Sequence, residues 1–238
     1  MTETKLIKKE EVAENTMAFY FAKPASFEFV PGQHITLTLI NPPETDDEGN
    51  SRYFSIITAP HEEHLGIATR IRDTALKRSL KNLPAGSRVK IDGPYGQFNL
   101  QKNSGRPAVF LIGGIGITPV FSILKHAAKE KLPHKIFLFY SNRRPEDAPF
   151  LRELQNLEKE NPNFKLIATM TQVERSPKTW SGETGYVTKE MIRKYIPDLN
   201  SPIFYMSGPP QMVKAMRELL EKGGVDETRM KFEEFAGY

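Results

Sequence analysis

The chain has 238 residues, 39% hydrophobic and 26% charged, the proportions of a globular protein with one large or two modest domains. Cysteine is absent, which excludes disulfides, thiolate zinc sites, a cysteine nucleophile and any cysteine-ligated iron–sulfur cluster. The net charge of +4, from 33 Lys/Arg against 29 Asp/Glu, is spread along the chain, as on a solvated surface and not on a nucleic-acid-binding arm.

The opening segment, residues 1–11, lacks the apolar core of a signal peptide, and no apolar run reaches the roughly 18 residues of a spanning helix. A cytoplasmic protein is expected. Short runs rich in β-branched and aromatic residues follow, at 16–21, 34–40, 54–58, 65–71 and 88–91. Turn signals separate them: Pro31-Gly32, Asn41-Pro42-Pro43, Pro60, Pro84 to Gly86, and Gly93-Pro94. This spacing predicts an antiparallel barrel or sandwich, interrupted by one short helix over 74–83. The acidic run from Glu44 to Glu48 reads as a solvated loop, and His61-Glu-Glu-His64, which lacks metal-ligand spacing, predicts no metal.

Past a polar joint at 102–107 the period changes. Strands are expected at 108–112, 135–140, 164–169, 203–206 and 230–233, with helices over 119–130, 150–158 and 211–222. Strand–helix alternation predicts a doubly wound parallel sheet whose ligands lie beyond the carboxyl ends of its strands. The expected division is therefore 1–102 and 103–238. Trp180 reads as a packing anchor.

The first strand-to-helix junction reads Gly113-Gly114-Ile115-Gly116-Ile117-Thr118-Pro119. Glycines permit a tight turn and let a phosphate approach the backbone, and a helix N-terminus offers unpaired amides. Thr118 is the expected helix cap, with Pro119 at the first helical position. The pattern is GxGxxP, not the GxGxxG dinucleotide fingerprint, and about twenty residues on, within Tyr140-Ser141-Asn142-Arg143-Arg144, no acidic residue stands where a ribose hydroxyl would be held. Without GK[ST], a phosphate-loop NTPase is not expected.

Five segments occur in order: Arg52-Tyr53-Phe54-Ser55, Gly93-Pro94-Tyr95-Gly96, the glycine turn, Ser207-Gly208-Pro209-Pro210, and Phe232-Glu233-Glu234-Phe235. Together they resemble the ferredoxin–NADP reductase family over nearly the whole chain. The resemblance implies an N-terminal antiparallel β-barrel that binds flavin, followed by a doubly wound parallel α/β domain that binds a nicotinamide nucleotide. Without cysteine, no iron–sulfur domain is expected beside them.

That resemblance also assigns residues. Arg52 would neutralise flavin phosphate, its planar fork suiting a bidentate anion. Tyr53 flanks it, Phe54 stands where relatives stack a tyrosine on the isoalloxazine, and Ser55 matches the hydroxyl near flavin N5, the hydride acceptor. Thr69 and Arg70 match a strand approaching the ring, and His34 is a further neighbour. Lys77, Arg78 and Ser79 would hold a pyrophosphate at a helix start. FAD is favoured over FMN.

Gly114, Ile115, Gly116 and Thr118 would hold the nicotinamide nucleotide, with Asn142, Arg143, Gly208 and Pro209. Ser207 replaces the usual cysteine near the nicotinamide. Glu233 matches a carboxylate near the ring, and Phe235, or alternatively Tyr238, covers the flavin. The implied activity is NAD(P)H-dependent flavin reduction, with electrons leaving to a ferredoxin, flavodoxin, haem protein, oxygenase component or small acceptor. A reductase of free flavin and a non-catalytic nucleotide-binding subunit are the alternatives. Arg143 and Arg144 would suit a 2′-phosphate, yet Thr171-Gln172 stands where NADP-preferring relatives carry serine and arginine, so NADH is favoured.

Overall fold

The computed structural model describes residues 1–235; Ala236, Gly237 and Tyr238, and with them the alternative stacking residue, lie outside the described residues. The chain divides into two compact units, Met1–Asn99 with Thr118–His126, and Leu100–Ile117 with Ala127 onward.

The first unit is an antiparallel barrel. Its strands are β1 (Thr2–Ala13), β2 (Thr16–Ala22), β3 (His34–Leu39), β4 (Ser51–Ser55), β5 (His64–Arg70) and β6 (Arg88–Tyr95), in the order β4-β3-β6-β1-β2-β5. A bridge between Ile56 and Ile67 joins the two edges, so the sheet closes on itself and leaves little exposed edge. Alternation sends Ile35, Leu37 and Leu39 inward to meet Phe19, Phe21, Ile56, Ile67, Val89 and Ile91. Helix α1 (Ala75–Asn82) turns Ala75, Leu76 and Leu80 toward this core and leaves Lys77 and Arg78 on its outer side.

Residues 118–126 join this unit because they are fastened to the loop after β4. Ser122 Oγ donates to the Thr58 carbonyl at 2.6 Å, and Lys125 pairs with Glu62. The expected run at 54–58 is displaced: β4 lies at Ser51–Ser55, and the stretch after it makes only the isolated bridge.

β1 has no counterpart among the expected strands. Its charged sequence, TETKLIKKEEVA, buries only Thr4 and Leu6 completely. What makes it a strand is pairing on both sides: Thr2–Lys5 with β6, and Leu6–Ala13 with β2.

The second unit holds a parallel sheet of β7 (Ala108–Gly113), β8 (Ile136–Asn142), β9 (Phe164–Met170), β10 (Glu183–Thr184), β11 (Ile203–Gly208) and β12 (Met230–Glu234), in the order β10-β9-β8-β7-β11-β12. Every residue of β7 is buried, as expected of a central strand covered on both faces. Helices α2 (Ile117–Lys129), α3 (Leu151–Glu160), α4 (Lys189–Tyr195) and α5 (Pro210–Lys222) make the connections. The winding reverses at β7, between β8 and β11, and a crevice at the carboxyl ends of strands on either side of such a reversal is where open α/β sheets bind ligands. α4 was not resolved from the sequence as a separate helix; Thr188 caps it by accepting from the Met191 amide at 3.1 Å. Trp180 donates to the Glu183 carbonyl at 2.8 Å and packs against Gly182, an anchor for the approach to β10.

Among the described residues, no helix is long and apolar enough to cross a membrane.

Candidate cofactor sites

In the barrel, β4 carries Arg52 and Phe54 on one face and Tyr53 on the other. Phe54 is 7% exposed and packs in the barrel core, whereas Tyr53 is 74% exposed. The His34 ring meets Tyr53 edge-on at 5.8 Å and Tyr95 at 6.1 Å, and burial holds His34 below its ordinary pKa. The outward aromatic group on this strand is therefore Tyr53 with His34 and Tyr95, while the ring of Phe54 is covered. Ser55 is buried opposite His34. Thr69 is buried on β5 opposite Met17, and Arg70 ends that strand opposite Thr16.

The cations gather where β4 meets the start of α1. Lys77 makes no hydrogen bond or ion pair among the described residues. Burial, then the nearby Arg72 and Arg52 charges, push its pKa down. A half-buried, unpaired lysine beside two arginines is a place that favours an anion, and flavin phosphate fits it. Ser79 lies on the buried face of α1 with Ala75, Leu76 and Leu80, away from those cations.

Arg52 and Arg78 are engaged by carboxylates from the preceding loop. Arg52 Nη2 donates to Asp46 at 3.0 Å and lies 2.7 Å from Glu48; Arg52 Nη1 donates to the carbonyls of Glu48, Gly49 and Ser51. Arg78 forms a fork onto Glu44 and also pairs with Asp73. The acidic run read as a solvated loop is thus the principal partner of two basic residues assigned to the cofactor. Its signal in the sequence was four acids within five residues, ending four before Arg52.

In the second unit, the glycine turn is a 3-10 turn over Gly114–Gly116 that runs directly into α2. The helix starts at Ile117, so Thr118 lies within its first turn, buried, and is not its cap; the 3-10 turn performs the entry that a capping hydroxyl would otherwise serve. Ile115 and Gly116 are buried. A Cβ on Gly116 would sit 2.4 Å from the Ser207 carbonyl oxygen and 2.6 Å from the Gly208 amide nitrogen. The turn therefore lies flat against the end of β11, and only glycine permits it. Gly208, at φ +149°, lies against Gly113 in turn: a Cβ on it would sit 3.0 Å from the Gly113 carbonyl oxygen. Pro209 follows at the start of α5.

Around this junction lie polar groups that the chain leaves unsatisfied. Asn142 ends β8 and is 6% exposed, yet neither its amide oxygen nor its amide nitrogen has a partner among the described residues. The Ser207 hydroxyl, on a fully buried residue of β11, is also without one. Such groups cost about 1–3 kcal/mol each when left unpaired, so their persistence at the carboxyl ends of β8 and β11 fits a polar ligand bound there. Replacing Asn142 with Ala should weaken nucleotide binding about tenfold while leaving thermal stability unchanged or slightly raised; equal nucleotide affinity by titration calorimetry would remove Asn142 from the site.

Glu233 lies in register with Ser207 across the β11–β12 ladder, and burial pushes its carboxyl up to about 7. The Phe235 amide donates to the Gly208 carbonyl at 3.1 Å, which ties the last described residue to the same junction. Arg143 is exposed, whereas Arg144 grips Asp147 through two contacts of 2.8 Å and lies 3.3 Å from Glu146.

Comparison with known proteins agrees with this arrangement. The oxidoreductase FAD-binding domain model matches residues 3–100, and the oxidoreductase NAD-binding domain model matches residues 110–218. The NADH-cytochrome b5 reductase 1 of Dictyostelium discoideum is 30% identical over 234 residues, covering 92% of this chain and 77% of that protein. The glycine betaine monooxygenase reductase subunit of Chromohalobacter salexigens is 29% identical over 223 residues, covering 92% of this chain and 60% of that protein. The chain thus spans about three fifths of the length of that oxygenase reductase subunit.

Two solved structures share the fold. The flavohem-like FAD/NAD-binding domain of nitric oxide dioxygenase from Vibrio cholerae has a TM-score of 0.85 at 20% identity, with 98% of each chain covered. The ferredoxin NADP+ reductase of Neisseria gonorrhoeae, with bound FAD and NADP, has a TM-score of 0.82 at 21% identity, again with 98% of each chain covered. With an antiparallel barrel matching an FAD-binding domain and a parallel sheet matching an NAD-binding domain, the chain belongs to the ferredoxin–NADP reductase family of flavin- and nicotinamide-dependent oxidoreductases.

Proposed function

We propose that this protein is an NADH-dependent flavoprotein reductase that passes electrons to a separate acceptor, with flavin held by residues 1–102 and the nicotinamide nucleotide by residues 103–238. The observation that carries the reading is the buried, unpartnered amide of Asn142 beside a glycine turn at the sheet's reversal point. When bound, the two cofactors supply the redox chemistry, a hydride from the nicotinamide to the flavin and electrons onward. The chain's task is to hold, orient and tune them.

Arg52 and Lys77 would neutralise flavin phosphates at the start of α1. Ser55 would meet the flavin's hydride-accepting edge, and Tyr53 would flank its ring. The close approach of Gly116 to Ser207 and Gly208 fixes the turn against β11, and the amides of that turn would face a nucleotide's phosphates. Ser207 would offer its buried hydroxyl to the nicotinamide. Glu233, with its carboxyl titrating near neutrality, would hold a proton on its carboxylate oxygen at the site and release it as pH rises.

Preference for NADH follows from Arg144. Its guanidinium is neutralised by Asp147 and Glu146, and the same carboxylates would repel a 2′-phosphate. For the acceptor we propose a haem or iron–sulfur protein, or an oxygenase component, because relatives named as cytochrome b5 reductases and oxygenase reductase subunits align over 92% of this chain. A reductase of free flavin is the second reading, favoured by the carboxylates on Arg52 and Arg78.

The test is the visible spectrum of the purified protein, followed by anaerobic titration with each nucleotide. Flavin bands should bleach with NADH at about tenfold lower concentration than with NADPH. A colourless protein that turns over only with added flavin would favour the second reading. A colourless, inert protein would overturn both.

A further inference from the structure

Four carboxylates surround the two arginines assigned to the flavin. Asp46 and Glu48 lie on Arg52, and Glu44 and Asp73 on Arg78. Three of the four come from one short loop between β3 and β4. The contacts are those an anionic ligand would make: Glu44 receives a two-nitrogen fork from Arg78, and Asp46 receives a single hydrogen bond from Arg52 Nη2 and is further stabilised by the amide of Ala75, the first residue of α1. Burial pushes the Asp46 carboxyl up, but the Arg52 hydrogen bond and charge and the amides of Glu48 and Ala75 outweigh it and hold it below the usual carboxylate range. The Arg78 hydrogen bond does the same for Glu44.

The loop is also folded for this posture. Asp46 accepts from the Glu48 amide at 3.1 Å, and its carbonyl accepts from the Gly49 amide at 2.8 Å, a turn that presents Asp46 and Glu48 to Arg52 from the same side. Against this stands Lys77, close to Arg52 and without a partner. One cation thus remains open while its neighbour is occupied.

We propose that Asp46 and Glu44 are internal competitors for the flavin's phosphate groups, so that cofactor binding displaces the 44–48 loop from Arg52 and Arg78 and this exchange sets flavin affinity. The inference rests on the flavin reading above and deepens it. A tethered carboxylate acts at an effective concentration of roughly millimolar or more, so it competes strongly although each single contact is weak. A diphosphate prevails because it brings more charge and more acceptor oxygens to Arg52, Lys77 and the α1 amides than one carboxylate does. The consequence is a cofactor that exchanges, in keeping with a protein able to use flavin from solution.

The alternative is that the acids merely hold the arginines in position for phosphate. The two ideas predict opposite signs. The full-length protein, stripped of flavin, is titrated with FAD by fluorescence quenching and with inorganic pyrophosphate by calorimetry. The variants are Asp46→Asn, Glu44→Gln and, as a charge control in the same loop, Asp47→Asn, whose side chain is exposed and makes no pair among the described residues. Asp46→Asn should tighten both ligands about tenfold, and Glu44→Gln by a smaller factor. Asp47→Asn should move neither more than twofold. FAD should also speed amide exchange at Glu48 and Gly49 in the wild type, as the turn opens. Unchanged or weaker binding of both ligands by Asp46→Asn, or an equal gain from Asp47→Asn, would overturn the proposal. Absence of FAD binding in every protein, with pyrophosphate still tightened by Asp46→Asn, would sink the flavin reading and leave the competition with an anion standing.

Discussion

Gly116→Ala should lose most of its nucleotide affinity and about 3 kcal/mol of stability in the second unit. The reason is the identity of the clashing atoms. A methyl group at this position would meet the Ser207 carbonyl oxygen at 2.4 Å and the Gly208 amide nitrogen at 2.6 Å, and both belong to a buried parallel strand. A flexible side chain could swing aside; a strand hydrogen-bonded to β7 on one side and β12 on the other cannot. The turn must instead lift away from β11, which misplaces the amides expected to face a phosphate. Urea denaturation and an NADH titration measure the two losses. Stability within 0.5 kcal/mol of wild type, together with unaltered NADH binding, would mean that the turn does not rest on β11 as described.

Glu233→Gln should separate from the wild type in a pH-dependent way. The folded-state pKa is raised to about 7 from an ordinary 4.5, so between these values the folded protein binds more protons than the unfolded chain. Stability therefore falls as pH rises through that window, and the penalty is fully present above the folded pKa. Glutamine cannot ionise and escapes it. The two proteins should be nearly equal at pH 4.5, whereas the variant should be more stable by about 2 kcal/mol at pH 8, less than the full shift implies because part of the carboxyl reaches solvent. Denaturation at the two pH values checks this, and a pH-independent difference would show that Glu233 ionises normally. In turnover, the wild-type rate should change with an apparent pKa near 7 that the glutamine variant lacks. A retained transition would assign the proton to another group.

The parallel half was the more legible in the sequence because its strands are continuous apolar runs and its helices carry a clear apolar face. β7, β8, β9 and β11 begin within a residue of where those runs begin. The barrel was harder. β4 was displaced because Phe54 to Thr58 is the more apolar stretch, whereas the ladder to β3 starts at Ser51. β1 escaped notice altogether, since a lysine- and glutamate-rich segment becomes a strand only when two neighbours pair with it.

By itself the sequence determined the two-part architecture, the glycine turn and the order of the cofactor motifs, all of which depend on local period and on residues such as glycine and proline whose conformational limits act wherever they stand. Tertiary structure alone decided which charges meet. That Asp46 and Glu44 reach Arg52 and Arg78, that Arg144 is neutralised by Asp147 and Glu146, that Asn142 is buried without a partner and that Glu233 titrates near neutrality are consequences of burial and distance in space. Coulomb energy and desolvation depend on those distances and on the surrounding dielectric, and neither can be read from positions along a chain.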